Sequence, residues 1–151
     1  MATIAVFGIG YVGVVSAACL AKDGHKVIAV DVDPGKVAAI NAGQSPIVEN
    51  GLPDLIAEVV AAGHLTATLD ASAAVHAADA SFVCVGTPSA ADGSIGLDYV
   101  TGVCRTIAAA MASKNGFHSV ILRSTIVPGT MEKTCIPLLE QASGIDRKSV
   151  V

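Results

Sequence analysis

Two kinds of apolar pattern alternate along this chain. The first is the short, nearly unbroken run: Ile4-Ala5-Val6-Phe7, Val27-Ile28-Ala29-Val30, Phe82-Val83-Cys84-Val85. Runs of this length, bounded by turn residues, mark strands buried on both faces of a parallel sheet. The second is a longer stretch in which small or apolar residues return at helical spacing, as in Gly13, Ala17 and Leu20, or Leu55, Ile56, Val59 and Val60. Each such stretch turns one face to a core and the other to water. In order, the pattern predicts strands over Thr3–Phe7, Lys26–Asp31, Leu65–Leu69, Ala80–Val85 and Ser119–Arg123. It predicts helices over Tyr11–Lys22, Lys36–Ala42, Pro53–Ala62, Ala71–Ala77, Asp98–Met111 and Thr130–Ala142. Gly24 is placed to end the first helix as a C-cap, and Asp33-Pro34-Gly35 is a turn that opens the second. The segments Gly43–Leu52 and Ser89–Gly96 carry the proline, glycine and polar residues of loops.

Strands that alternate with helices in this way predict an α/β fold, a doubly wound parallel sheet of order 3-2-1-4-5 with right-handed crossovers. A sixth strand, usual in this architecture, is missing, so the sheet is expected to be truncated with strand five as an unpaired edge. A chain of 151 residues is one domain by length. That domain is expected to occupy residues 1–145, because residues 146–151 fit neither pattern. Asp146-Arg147-Lys148-Ser149-Val150-Val151 instead matches a reading frame of a short-read sequencing adapter, GAT CGG AAG AGC GTC GTG, with a real charged tail as the alternative. It is expected to be a non-native, disordered tail in which Arg147 and Lys148 carry no function.

Composition narrows the functional classes. The net charge of -4 gives no basic footprint for nucleic acid. No apolar run reaches the ~20 residues needed to span a bilayer, and no basic leader precedes the first strand. The reading is therefore a cytoplasmic protein without a nucleic-acid or membrane partner. Cys19, Cys84, Cys104 and Cys135 lack C-x-x-C spacing. They read as buried free thiols, Cys84 within a strand, and indicate neither a zinc site nor a disulfide framework. His25, His64, His76 and His118 have no partner at ligand spacing and read as surface residues, so no metal site is predicted.

The chemistry is concentrated at the ends of the strands. Gly8-Ile9-Gly10-Tyr11-Val12-Gly13 follows the first strand and opens the first helix, the context in which a G-x-G-x-x-G turn binds a dinucleotide. Gly8 permits the sharp turn, Gly10 leaves room for a pyrophosphate, and Gly13 lets the helix pack closely. The helix N-terminus adds free N–H groups and partial positive charge. Asp31 closes the second strand about 20 residues further on, where a carboxylate accepts the ribose hydroxyls of NAD and repels the 2′-phosphate of NADP. Lys36 could reach that ribose or be solvated; its position alone favours solvation. Thr87 and Thr125 follow strands four and five, at the carboxyl ends where ligands of open α/β sheets bind. For Thr87 a turn residue before Pro88 is an equal alternative.

With these residues placed, the chain resembles the N-terminal, Rossmann-type NAD-binding domain of nucleotide-sugar 6-dehydrogenases over about Thr3 to Gly144. The resemblance rests on the glycine turn, Asp31-Val32-Asp33, Ser45-Pro46-Ile47-Val48-Glu49, Phe82 to Pro88, Arg123-Ser124-Thr125 and Pro128-Gly129-Thr130. Val48, Cys84, Arg123 and Ile136-Pro137-Leu138-Leu139 look more like the GDP-mannose branch of the family than the UDP-glucose branch. The resemblance implies that Tyr11 and Val12 contact the pyrophosphate, that Asp31 and Lys36 hold the adenosine ribose, and that Thr87 and Thr125 line the nicotinamide half. It implies NAD as cofactor, a nucleotide sugar (GDP-mannose) as substrate, a homo-oligomer at full length, and uronate supply for an alginate-like polysaccharide.

Such enzymes oxidise C6 of the sugar twice, with a cysteine capturing the aldehyde before the second hydride transfer and hydrolysis. That cysteine belongs to a C-terminal region this chain lacks, so no residue here is expected to be catalytic and the chain is expected to bind NAD without turnover. A UDP-glucose enzyme and a stand-alone NAD-sensing module are the alternatives.

Overall fold

The computed structural model describes residues 1–89 and 93–146. Residues 90–92 of the predicted Ser89–Gly96 loop, and Arg147 to Val151 of the predicted tail, lie outside the described residues.

The strands are β1 (Thr3–Phe7), β2 (Lys26–Val30), β3 (Leu65–Thr68), β4 (Ala80–Val83) and β5 (Ser119–Leu122). The helices are α1 (Tyr11–Lys22), α2 (Pro34–Asn41), α3 (Leu52–Ala61), α4 (Ala71–Ala77), α5 (Asp98–Met111) and α6 (Ile136–Ser143). All strand pairs are parallel, in the predicted order β3-β2-β1-β4-β5. Alternate residues of each strand point to opposite faces, and the core splits accordingly. Ile4 and Val6 of β1 pack with Val14, Ala17, Ile40 and Ile56 of α1, α2 and α3. Ala5 and Phe7 pack with Val75, Val100, Ile107 and Leu139 of α4, α5 and α6. The scarcity of aromatics follows from this arrangement, because small residues on α1 let it lie close to the sheet.

Several predicted boundaries shift. β2, β3, β4 and β5 end at Val30, Thr68, Val83 and Leu122, one or two residues before the apolar pattern does. Past β4, buried Cys84 and half-buried Val85 still contribute to the core, whereas Leu69 past β3 is exposed. The predicted Thr130–Ala142 helix begins as a π-helical turn over Met131–Cys135 and becomes α-helical at Ile136. Pro137, in the first turn of α6, has no N–H to give the carbonyl four residues back, and the wider register absorbs the mismatch. Within the predicted Ser89–Gly96 loop, Ser89 and Ile95 form an antiparallel bridge.

Two expectations about single residues fail. Cys19 is exposed, because it lies on the outer side of α1 while Ala17, Ala18 and Ala21 face inward. His118 is buried, with 1% of its surface exposed. Its Nε2 lies 2.9 Å from Ser81 Oγ and its Nδ1 lies 3.2 Å from Lys114 Nζ. Lys114 also donates to the carbonyls of Val75, at 2.7 Å, and Ala78, so its ammonium closes the C-terminus of α4. Burial and the neighbouring ammonium hold the His118 pKa below its ordinary value, which keeps the imidazole neutral. His76 is exposed as predicted, while His25 and His64 are half-buried.

The outer edge of β3 is also occupied. Asn41, at the end of α2, donates from Nδ2 to Ala67 O at 2.9 Å and accepts the Ala67 N–H on Oδ1 at 2.8 Å. One side-chain amide thus stands where a neighbouring strand would pair.

Candidate functional site

Beyond Phe7 the chain reverses at Gly8, whose φ of +95° is rarely open to other residues. A Cβ on Gly8 would also lie 3.1 Å from the Cys84 carbonyl oxygen and 3.1 Å from Val85 Cγ1. A Cβ on Gly13 would lie 1.8 Å from the Gly8 carbonyl oxygen, so α1 rests directly on the turn. Gly10 differs from both: its φ is −86°, and a Cβ there would meet nothing within 4 Å. The fold needs glycine at 8 and 13. At 10 the missing side chain only keeps open space in front of the backbone. Gly10 is the N-cap of α1, without a side-chain cap bond, and the first turn holds no acidic residue. The free N–H groups and positive dipole end of α1 therefore border that space.

Asp31 stands one residue past β2. Its Oδ2 accepts the Ile9 N–H at 2.6 Å, and its Oδ1 accepts the Asp33 N–H at 3.0 Å. Lys36 Nζ lies 3.9 Å from Oδ2. Lys36 thus stands beside Asp31 while 38% of its side chain stays exposed, so the two alternatives, reaching the strand end and being solvated, meet in one placement. Asp33 sets this up by capping α2 through bonds from Gly35 N–H and Lys36 N–H. The sequence identified Asp31 but not this second task, in which the carboxylate braces the glycine turn from the neighbouring strand.

Two cavities flank the turn. One of about 200 Å³ is lined by Gly8, Asp31, Val32, Leu69, Ala71, Val85, Tyr99, Val103 and Thr106 among others, and is largely apolar. The other, of about 210 Å³, is lined by Gly10, Tyr11, Val12, the Cys84–Thr87 segment, Arg123, Ser124 and Thr125. The fold therefore brings Thr87 and Thr125 to one cavity with the glycine turn, and places Asp31 and Gly8 on the other. Val85 lines both. Beyond α1, a broader hollow of about 620 Å³ shares Tyr11, Val12 and Arg123 and extends to Glu49 and Leu55.

Leu69, Tyr99, Val103 and Thr106 went unnoticed in the sequence. Tyr99 and Leu69 are 62% and 54% exposed, so these apolar groups look outward over the cavity instead of into the core. Periodicity cannot distinguish that placement from an ordinary core face. Cys84 lines the second cavity but is buried. Burial raises its pKa, and the opposing pull of the Arg123 charge is smaller, so it remains a thiol.

Chemically, the arrangement offers a helix N-terminus for a diphosphate, a carboxylate beside an ammonium for a vicinal diol, and a flat apolar slot for an aromatic ring. A second cavity bears hydroxyl groups. These are the parts of a dinucleotide-binding domain. Comparison with known proteins agrees: residues 2–150 match the UDP-glucose/GDP-mannose dehydrogenase family, NAD binding domain, and the chain belongs to that family. It is 48% identical over 141 residues to the GDP-mannose 6-dehydrogenase of Azotobacter vinelandii, covering 93% of this chain and 32% of the relative. It is 47% identical over 128 residues to the UDP-glucose 6-dehydrogenase of Rhizobium meliloti, covering 84% of this chain and 29% of that one. The solved ternary complex of GDP-mannose dehydrogenase from Pseudomonas aeruginosa superposes with a TM-score of 0.96 at 46% identity, over 98% of this chain and 34% of that structure. The chain thus spans about a third of the length of these relatives.

Proposed function

We propose that this chain is the NAD-binding part of a GDP-mannose 6-dehydrogenase, an enzyme that oxidises GDP-mannose to GDP-mannuronate in two NAD-dependent steps. The observation that carries the cofactor site is Gly10, a glycine the fold does not require, set before an uncapped helix N-terminus. In this reading Gly10, Tyr11, Val12 and Gly13 receive the pyrophosphate on backbone N–H groups, while Gly8, whose own N–H donates to Val30 O at 2.8 Å, makes the turn that presents them. Asp31 and Lys36 hold the adenosine ribose, and the apolar slot beside Leu69 and Tyr99 takes the adenine. Thr87 and Thr125 face the nicotinamide half. The Asp31 carboxylate favours NAD over NADP by repelling a 2′-phosphate. NAD bound here supplies the hydride acceptor. The chain's residues orient it and keep its diphosphate neutralised at the end of α1.

The substrate assignment is supported by GDP-mannose 6-dehydrogenases aligning over 141 residues at 45–48% identity. The Rhizobium meliloti enzyme, at 47% over a shorter span, favours UDP-glucose as the second reading. The catalytic cysteine is assigned to the region present only in the longer relatives, since the four thiols here are either buried or, for Cys19, on the outer side of α1. The full-length protein is read as a cytoplasmic homo-oligomer supplying uronate for an alginate-like polysaccharide. Among the described residues no helix is long and apolar enough to cross a membrane.

Calorimetric titration of the 151-residue chain tests the cofactor reading. NAD should bind at least about tenfold more tightly than NADP, a difference of about 1.4 kcal/mol. Equal affinities would remove the role given to Asp31. NADH formation from GDP-mannose and NAD by this chain should be undetectable, and its appearance would overturn the assignment of the catalytic group to the missing region.

A further inference from the structure

The pairing of β4 with β5 continues beyond the sheet by a different means. The Arg123 N–H makes a last backbone bond to Val83 O at 2.9 Å. One residue later a side chain takes over. Ser124 Oγ lies 2.7 Å from Val85 O and 3.3 Å from Val83 O. A hydroxyl has one proton to donate, and the shorter contact assigns it to Val85.

That bond fastens the middle of a segment held at its start by the Cys84 N–H on Phe7 O, at 2.8 Å, and at its end by Pro88. Between those points Gly86 is open, and a Cβ there would meet nothing within 4 Å. Pro88 biases Thr87 toward extended backbone, and its own carbonyl accepts the Gly96 N–H at 2.8 Å. Val85 in turn rests on the glycine turn, its Cγ1 3.1 Å from the place of a Gly8 Cβ. A single hydroxyl therefore joins three parts of the rim: the loop bearing Thr125, the loop bearing Thr87 and, through Val85, the turn at Gly8.

We propose that Ser124 is a positioning residue of the cofactor site, setting the spacing of Thr87 and Thr125 at the nicotinamide end through its bond to Val85. The proposal rests on the reading of the second cavity as the nicotinamide site. Its proton is committed to the Val85 carbonyl, so its effect on the dinucleotide is exerted through the two loops. The adenosine half is held by Asp31 and the apolar slot, which meets this network only at Val85, so the effect falls chiefly on the nicotinamide half.

Calorimetry with NAD and with AMP on the wild-type chain, Ser124→Ala and Ser124→Thr tests this. Loss of one net hydrogen bond corresponds to about a five- to tenfold effect. Ser124→Ala should weaken NAD by that factor and leave AMP within about twofold. Ser124→Thr, which keeps the hydroxyl, should recover most of the NAD affinity. Unchanged NAD binding in Ser124→Ala overturns the proposal, as does equal loss of NAD and AMP, or a threonine variant as weak as the alanine one. A wild-type chain that binds AMP but not NAD, or neither, overturns the underlying reading of the cavity and this proposal with it.

Discussion

The two ends of the sheet solve the same problem in opposite ways. At the amino end, side chains satisfy the backbone where strands begin. Asp79 Oδ2 accepts the Thr3 N–H at 2.8 Å, His25 Nδ1 accepts the Ala2 N–H at 3.2 Å, and Lys114 with His118 closes off α4. At the carboxyl end the polar groups of the backbone are left facing cavities, and Asp31 and Ser124 brace the turn and loops around them. The first end is closed upon itself. The second keeps donors available, which is what binding a ligand through backbone N–H groups demands. The difference teaches where stability and function separate in this domain: substitutions at the amino end should move folding, and those at the carboxyl end should move binding.

The glycine turn gives the largest expected effect and the sharpest test of that division. Gly13→Val drives a side chain into the Gly8 carbonyl and should leave no folded protein by circular dichroism. Gly10→Ala, three residues away, should fold with a loss of no more than about 1 kcal/mol, the usual range for an N-cap change. It should nevertheless weaken NAD at least about tenfold in a titration, because the methyl enters the space assigned to the pyrophosphate. A Gly10→Ala protein with unchanged affinity would break the comparison at its functional end.

At the amino end, Lys114→Met leaves the Val75 carbonyl without its donor and the Ala78 carbonyl with only His118 Nδ1, at 3.1 Å, beside it. A cost of about 1–3 kcal/mol in urea unfolding is expected, with NAD affinity unaltered. The pH dependence comes next. The folded-state pKa of His118 is lowered by burial and by Lys114, with the contact to the Ala78 carbonyl and then the Asp79 charge pulling less strongly the other way. Above the unfolded value of 6.5 both states are neutral and the contribution to stability is complete. As pH falls through 6.5, the unfolded chain takes up a proton that the folded chain refuses, and stability is lost until the lower folded pKa is passed. Urea midpoints should therefore fall between pH 7.5 and 5.5, roughly the window around the ordinary histidine pKa. The fall should be shallower in His118→Asn. The smallest effect belongs to Asn41→Ala, about 1 kcal/mol, from two hydrogen bonds at an edge that water can partly replace.

Much of this was legible in the chain itself, and the exceptions share a cause. The strand order follows from alternating apolar runs and helical stretches, and the glycine turn and Asp31 follow from spacing. Both signals are local. The bond from Ser124 to Val85, the cavity face of Tyr99 and the burial of His118 each join residues far apart in the sequence. No periodicity records those meetings. Lys36 shows the limit within a single turn: its position suggested solvation, and only the fold sets its ammonium beside Asp31. Cys19 is exposed for a different reason, because a thiol's general preference for burial is overridden by its place on the outer side of α1.

The amide of Asn41 carries a consequence for how this sheet can be enlarged. By occupying both hydrogen-bonding groups of Ala67, it acts as a stopper on the β3 side. β5 is the opposite margin, and among the described residues no strand lies outside it. A strand adding beside β3 would have to displace that amide from Ala67, whereas one adding beside β5 would meet no strand among the described residues.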